Sequence, residues 1–202
     1  MKKFFIFFFK YSILFSIFSF SFSIIGGLFP SNELSVVLGN PLLVSGISFE
    51  HVLGHITWGS FAALTTFSIR YIILGGAFAI LLDADHLLQF LDIELISRMS
   101  HSIPFGLIAA GLFFIILKGK DMRLVTISIG AVISHMSFDI FLANVVYNDN
   151  TTFPLFSPFL LERFSFGGFD WVWFELIAIL IVLGGYFLQK SKLISKENNQ
   201  FS

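Results

Sequence analysis

Residues 71–91 read YIILGGAFAILLDADHLLQFL, an apolar run of helical length that carries Asp83, Asp85 and His86 near its end. Ionisable groups at bilayer depth are expensive and persist mainly where they pair, bind an ion or line a polar cavity. The same pattern extends to all the histidines. His51, His55, His86, His101 and His135 each lie in or at the end of a hydrophobic segment, and none falls in a charged loop or tail.

The composition sets the solvent. The chain has 202 residues, 56% hydrophobic and 12% charged, against about 25% charged in ordinary soluble domains, and its mean hydropathy is +0.88. Six runs approach the length of about 18 or more apolar residues that marks a spanning helix. The expected fold class is therefore all-α, a polytopic membrane bundle of about six transmembrane helices. A net charge of -1 without a basic stripe argues against a nucleic-acid partner. With no cysteine, disulfides, thiolate metal sites and cysteine nucleophiles are excluded together. Any metal must be held by His, Asp or Glu.

Residues 1–28 open with Lys2 and Lys3 and continue as a Phe/Ile/Ser-rich run. The run is longer than a cleaved signal sequence needs, and no small-residue cleavage pattern follows, so an uncleaved anchor helix over 8–28 is expected. Residues 29–49, with Pro30, Gly39-Asn40-Pro41 and Gly46, read as an outer loop. Residues 50–189 form the main membrane domain, with helices expected over 50–68, 71–91, 100–117, 124–146 and 169–188. A basic tail, 190–202, closes the chain. With six spans, Lys2, Lys3, Lys10, Arg70, the 118–123 loop and Lys190–Lys196 share one side, and only Arg98 and Arg163 fall on the other. The positive-inside rule then puts both termini in the cytoplasm of a multi-pass protein of the cell membrane. The same layout sends His51, His55, Asp83, Asp85, His86, His101 and Asp139 to the outer half. His135 lies roughly 16 Å further in, 11 residues before Val146.

Spacing adds a second argument. His135 and Asp139 are four apart and share a helix face, as do Asp83 and His86 at three and His51 and His55 at four. Asp85 points elsewhere on an ideal helix. A single intramembrane histidine more often hydrogen-bonds two helices than ligates a metal, and His51 beside Glu50 reads as a boundary residue. Imidazoles and carboxylates converging from several helices are what a bundle uses to build a metal site. Such ligands suit one or two Zn²⁺ ions, with Mn²⁺ or Fe²⁺ as further fits.

The ordered pieces Gly54-His55, Leu82-Asp83-Ala84-Asp85-His86, Arg98-Met99-Ser100-His101-Ser102 and Gly130 to His135-Met136-Ser137-Phe138-Asp139, followed by Phe153-Pro154 through Pro158, resemble a known family. It is the small membrane-bound metal-dependent hydrolases, also known as LexA-binding inner-membrane hydrolases. The resemblance covers about residues 50–165. Leu82 stands where that family has proline, Ser97 where it has the histidine of a His-Arg segment, and Ser100 where threonine is usual. Together with the one-sided cluster it points to His55, Asp83, His86, His101, His135 and Asp139 as metal ligands, to Asp85 as a further ligand or a partner orienting an imidazole, and to Asp85, Arg98 and Asp139 as candidate catalytic groups.

The expected function is thus a membrane-embedded hydrolase of an ester or phosphoester, small-molecule or lipid-linked, acting through a metal-activated water in the outer half of the bundle. Arg98 and Arg163, the outer cations, are the natural holders of a phosphate. Two other classes use the same residues differently: a proton- or divalent-ion-coupled transporter, and a non-catalytic membrane scaffold with structural histidines.

Overall fold

The computed structural model describes residues 2–27, 48–84, 86, 98–160 and 162–200. At 78% helix and 4% strand the protein is predominantly helical. Its α-helices are α1 (Lys2–Gly27), α2 (Phe49–Ala63), α3 (Ile69–Leu81), α4 (Ile103–Ile116), α5 (Met122–Phe141) and α6 (Asp170–Gln200). Between α5 and α6 a short antiparallel hairpin pairs β1 (Thr151–Phe153) with β2 (Phe164–Phe166).

Local chemistry sets the helix starts. Ser48 Oγ accepts from His51 N at 3.2 Å, Ser102 Oγ from Phe105 N at 3.3 Å, and Asp121 Oδ1 from Leu124 N at 3.3 Å. Each satisfies one of the orphan amides of a first turn. Phe67 in the left-handed region, φ 52°, turns the chain from the one-turn extension of α2 into α3.

α5 is the axis of the bundle. It packs against α2, α3, α4 and α6, while α1 lies outside on α3 and α4. Small residues let α2 and α3 cross closely: a Cβ on Gly59 would sit 2.5 Å from the Gly75 carbonyl oxygen, and one on Gly75 2.6 Å from that of Gly59. An aromatic layer ties α1 to the core, where Phe15 stacks on Phe78 at 4.3 Å and Phe78 on Phe113 at 5.7 Å. α1 also donates from Ser19 Oγ to the Leu82 carbonyl at 3.1 Å, which pins the end of α3.

Among the described residues three stretches are long and apolar enough to cross a membrane: Lys2–Gly26, Met122–Val146 and Asp170–Ser195. α2, α3 and α4 have 15, 13 and 14 residues, which makes them about 20–22 Å long against a hydrocarbon core of about 30 Å. The expected helix over 71–91 is the clearest difference. α3 stops at Leu81 and the chain tightens into a 3₁₀ turn at 82–84, which swings Asp83 inward. The end of that expected helix, with Asp85 and residues 87–97, lies outside the described residues, as do residue 28 of the expected anchor and residues 29–47 of the expected outer loop. α6 runs on past residue 188, carrying Lys190 and Lys192 of the expected tail on its last turns.

Candidate metal centre

Four chain segments deliver imidazoles and carboxylates to one buried point. α2 supplies His51 and His55, the turn after α3 supplies Asp83 and His86, residues 98–101 supply Arg98 and His101, and α5 supplies His135 and Asp139. The i, i+4 spacing of His51 with His55 and of His135 with Asp139 puts each pair on the face its helix turns toward the centre. Gly54 makes room beside it. A Cβ there would lie 1.8 Å from Phe138 Cζ, and the Phe138 ring packs edge-on against His55 at 4.8 Å.

Asp83 is the hub and is 6% exposed. Its Oδ2 lies 3.3 Å from His51 Nε2 and 3.5 Å from His55 Nε2. Its Oδ1 lies 3.2 Å from His101 Nε2, 3.3 Å from His86 Nε2 and 3.4 Å from His135 Nε2. Asp139 offers Oδ1 to His55 Nε2 at 3.3 Å and Oδ2 to His135 Nε2 at 3.4 Å. All five histidines thus present the same ring nitrogen to two carboxylates.

The rings are held in that sense from behind. His135 Nδ1 donates to the Ala79 carbonyl at 2.8 Å, which leaves the Nε2 lone pair facing inward, the orientation used for metal ligation. His101 Nδ1 lies 3.2 Å from Ser100 Oγ. His55 and His135 stack face to face at 3.8 Å.

Among the described residues three overlapping trios have ligand atoms within 4.8 Å of one another: His51, His55 and Asp83; His55, His135 and Asp139; and Asp83, His86 and His101. Asp83 and His55 each belong to two of them. Buried groups of this kind could hold a metal ion. Two orphaned atoms fit the same reading: His135 Nε2 and Asp139 Oδ2 are buried without a hydrogen-bond partner, a state that buried polar atoms rarely hold without compensation.

Arg98 stands at the rim. Its Nη2 is 3.1 Å from His101 Nε2, 3.6 Å from Asp139 Oδ2 and 3.9 Å from Asp83 Oδ1, and its Nε is buried without a partner. The hairpin covers this side. Arg163 donates from Nε to Thr152 Oγ1 at 3.0 Å and from Nη2 to the Thr152 carbonyl at 2.8 Å. Burial, with the charge of Arg98 as a second cause, pushes the Arg163 pKa down, and Phe153, next to Thr152 in β1, stacks on His101 at 6.5 Å. The loop is fastened to the start of α4 by Ile103 N donating to the Leu155 carbonyl at 3.0 Å and Ser102 Oγ to that of Ser157 at 3.2 Å.

His55, Asp83, His86, His101, His135 and Asp139 all come together, with Arg98 beside them. Asp85 and Ser97 lie outside the described residues. His51 belongs to the cluster rather than to the boundary, because the Ser48 cap starts α2 in time to turn it inward. Glu175 of α6 is a further buried carboxylate, with Oε2 accepting from Ser134 Oγ at 2.9 Å and Oε1 unpartnered. No family model, curated protein or solved structure matches this chain.

Proposed function

We propose that the protein is a membrane-embedded, metal-dependent hydrolase of an ester or phosphoester. The observation that carries this reading is the convergence of five Nε2 atoms on Asp83 and Asp139, with His135 Nε2 and Asp139 Oδ2 otherwise orphaned. Seven groups exceed one tetrahedral shell, and the two oxygens of Asp83 face different histidines. These residues would hold one or two ions, most readily zinc, with manganese or iron as alternatives. When bound, a divalent ion supplies a water acidified toward a pKa of about 7. Ala79 and Ser100 hold two of the imidazoles in register, the Phe138 ring screens the His51–His55 side from water, and Asp139 is placed to take a proton. Arg98 and Arg163 form the cationic rim that would grip a phosphoryl oxygen. Asp85 is proposed to orient a ligand or to act as a further base.

The ordered motifs shared with small membrane-bound metal-dependent hydrolases support the same reaction class. The one-sided distribution of Lys and Arg supports six spans, cytoplasmic termini and a site in the outer half of the cell membrane. In that arrangement α2, α3 and α4 cross together with the turns that extend them. Elemental analysis of the detergent-purified protein tests the reading, with His86→Ala and Asp139→Ala beside the wild type. About one or two metal atoms per chain, lost in both variants, are expected. A metal-free wild type from metal-replete growth would remove the mechanism and return the histidines to helix packing or proton movement.

A further inference from the structure

A second cavity, of about 560 Å³, lies between α1 and the α2–α3 pair and is walled almost wholly by hydrocarbon. Its cause is a local deficit of side-chain volume: Ser12 and Ser16 of α1 face Ala77 of α3, where the flanking positions carry Phe9, Ile13, Ile17 and Ile73. Along α3 it extends from Ile73 to Leu81, about 12 Å at 1.5 Å per residue, close to the depth of one leaflet of a hydrocarbon core about 30 Å thick. Its upper end is made by Ile56, Ile80 and Leu81, whose chain neighbours are His55 and the Leu82–Asp83 turn. The wall of the metal centre and the wall of the groove are therefore the same two helix ends.

We infer that this groove seats the hydrocarbon chain of the substrate, which is accordingly an anionic lipid phosphoester. The inference rests on the hydrolase reading of the adjoining centre. Two observations choose the occupant. The groove is continuous with the outward face of α1, a helix long and apolar enough to cross a membrane, where Phe9, Ile13 and Ile17 are more than half exposed. Lipid is the medium that wets such a face. Charge complementarity fixes the other end, because the rim of the centre carries Arg98 and Arg163, which suit an anionic head group. A volume of this size is in the usual range for a ligand site.

The test uses the full-length protein in liposomes containing phosphatidic acid with a diazirine on one acyl chain. Photolabelled positions are mapped by mass spectrometry in wild type, Ala77→Phe and Ser16→Leu, which fill the groove from opposite walls. Saturable labelling of 8–17 and 73–81 is expected, competed by unlabelled long-chain phosphatidic acid and not by glycerol phosphate. Filling should lower it about tenfold or more, the scale set by steric mismatch in an apolar pocket. Labelling of the lipid-facing stretch around Leu176, Ile177 and Leu180 should rise in proportion to probe and be equal in all three proteins. Proportional labelling of the groove, unchanged by either variant, would overturn the inference. The two readings fail separately. Saturable labelling on a protein that binds no metal would keep the groove and discard the hydrolase, whereas cleavage of a water-soluble phosphoester without saturable labelling would do the reverse.

Discussion

The bundle carries two polar clusters, and they are built on opposite plans. At one end Tyr71 donates to Asp121 Oδ2, Asp121 Oδ1 caps α5, and the guanidiniums of Arg70 and Arg123 lie over the Tyr71 ring at 4.8 and 4.5 Å. There the carboxylate, the hydroxyl and the ring are all occupied, and the arrangement fastens α3 to α5. At the other end five imidazoles face two carboxylates, and His135 Nε2 and Asp139 Oδ2 make ion-pair contacts without a hydrogen bond. The first cluster closes both oxygens of its carboxylate on donors from two helices, while the second turns both of its carboxylates onto a common centre. The difference teaches how to tell structural polarity from site polarity in an apolar protein.

Mutation can break or sharpen that contrast. The largest effect is expected from Asp83→Ala, which removes the hub of the cluster. Bound metal should fall to background by elemental analysis, and a variant that retains wild-type metal would erase the distinction. His55→Ala and His135→Ala come next. Each should weaken metal binding, measured by competition with a chelating dye, by more than the ~10–100-fold typical of a group that only orients a ligand. Arg98→Ala should leave metal content intact and raise KM for a phosphoester about tenfold or more, the scale of a lost charge-assisted hydrogen bond. Arg163→Ala should act in the same direction, and unchanged kinetics in both would remove the anion-holding role.

The opposite cluster should answer in stability alone. Tyr71→Phe removes one donor from half-buried Asp121, which keeps the Leu124 amide, so a loss of about 1 kcal/mol is expected, read as a lowered thermal midpoint with unchanged metal content. The smallest effect is expected at Glu175. Glu175→Gln keeps its shape and the bond from Ser134, so stability should shift by about 1 kcal/mol or less and metal content should not move.

Much of the centre was legible because helical spacing converts sequence directly into a face. Asp83 with His86 and His135 with Asp139 announced their pairing at three and four residues, and the burial of both pairs follows. What periodicity does not encode is where a helix stops. The run 71–91 stays apolar well beyond Leu81, so hydropathy continues the helix through the 3₁₀ turn that aims Asp83 inward. His51 stands at the boundary of the expected helix, and only the Ser48 cap reveals that the first turn is already formed there. The β1–β2 hairpin left little trace, because each strand has three residues and Pro154 and Pro158 lie in the loop between them. Glu175 carried the same signal as Asp83, an acid in an apolar helix, but no histidine stands at helical spacing beside it.

The bond from His135 Nδ1 to the Ala79 carbonyl has a consequence for biogenesis. The ligand face of His135 exists only once α3 has docked on α5, and His55 and Asp139 come from segments 84 positions apart in the chain. A nascent chain halted before α5 therefore has no complete centre to offer. Any metal that this centre holds would have to be loaded late, after synthesis and helix assembly, because free ions have little to capture while the chain is still being made.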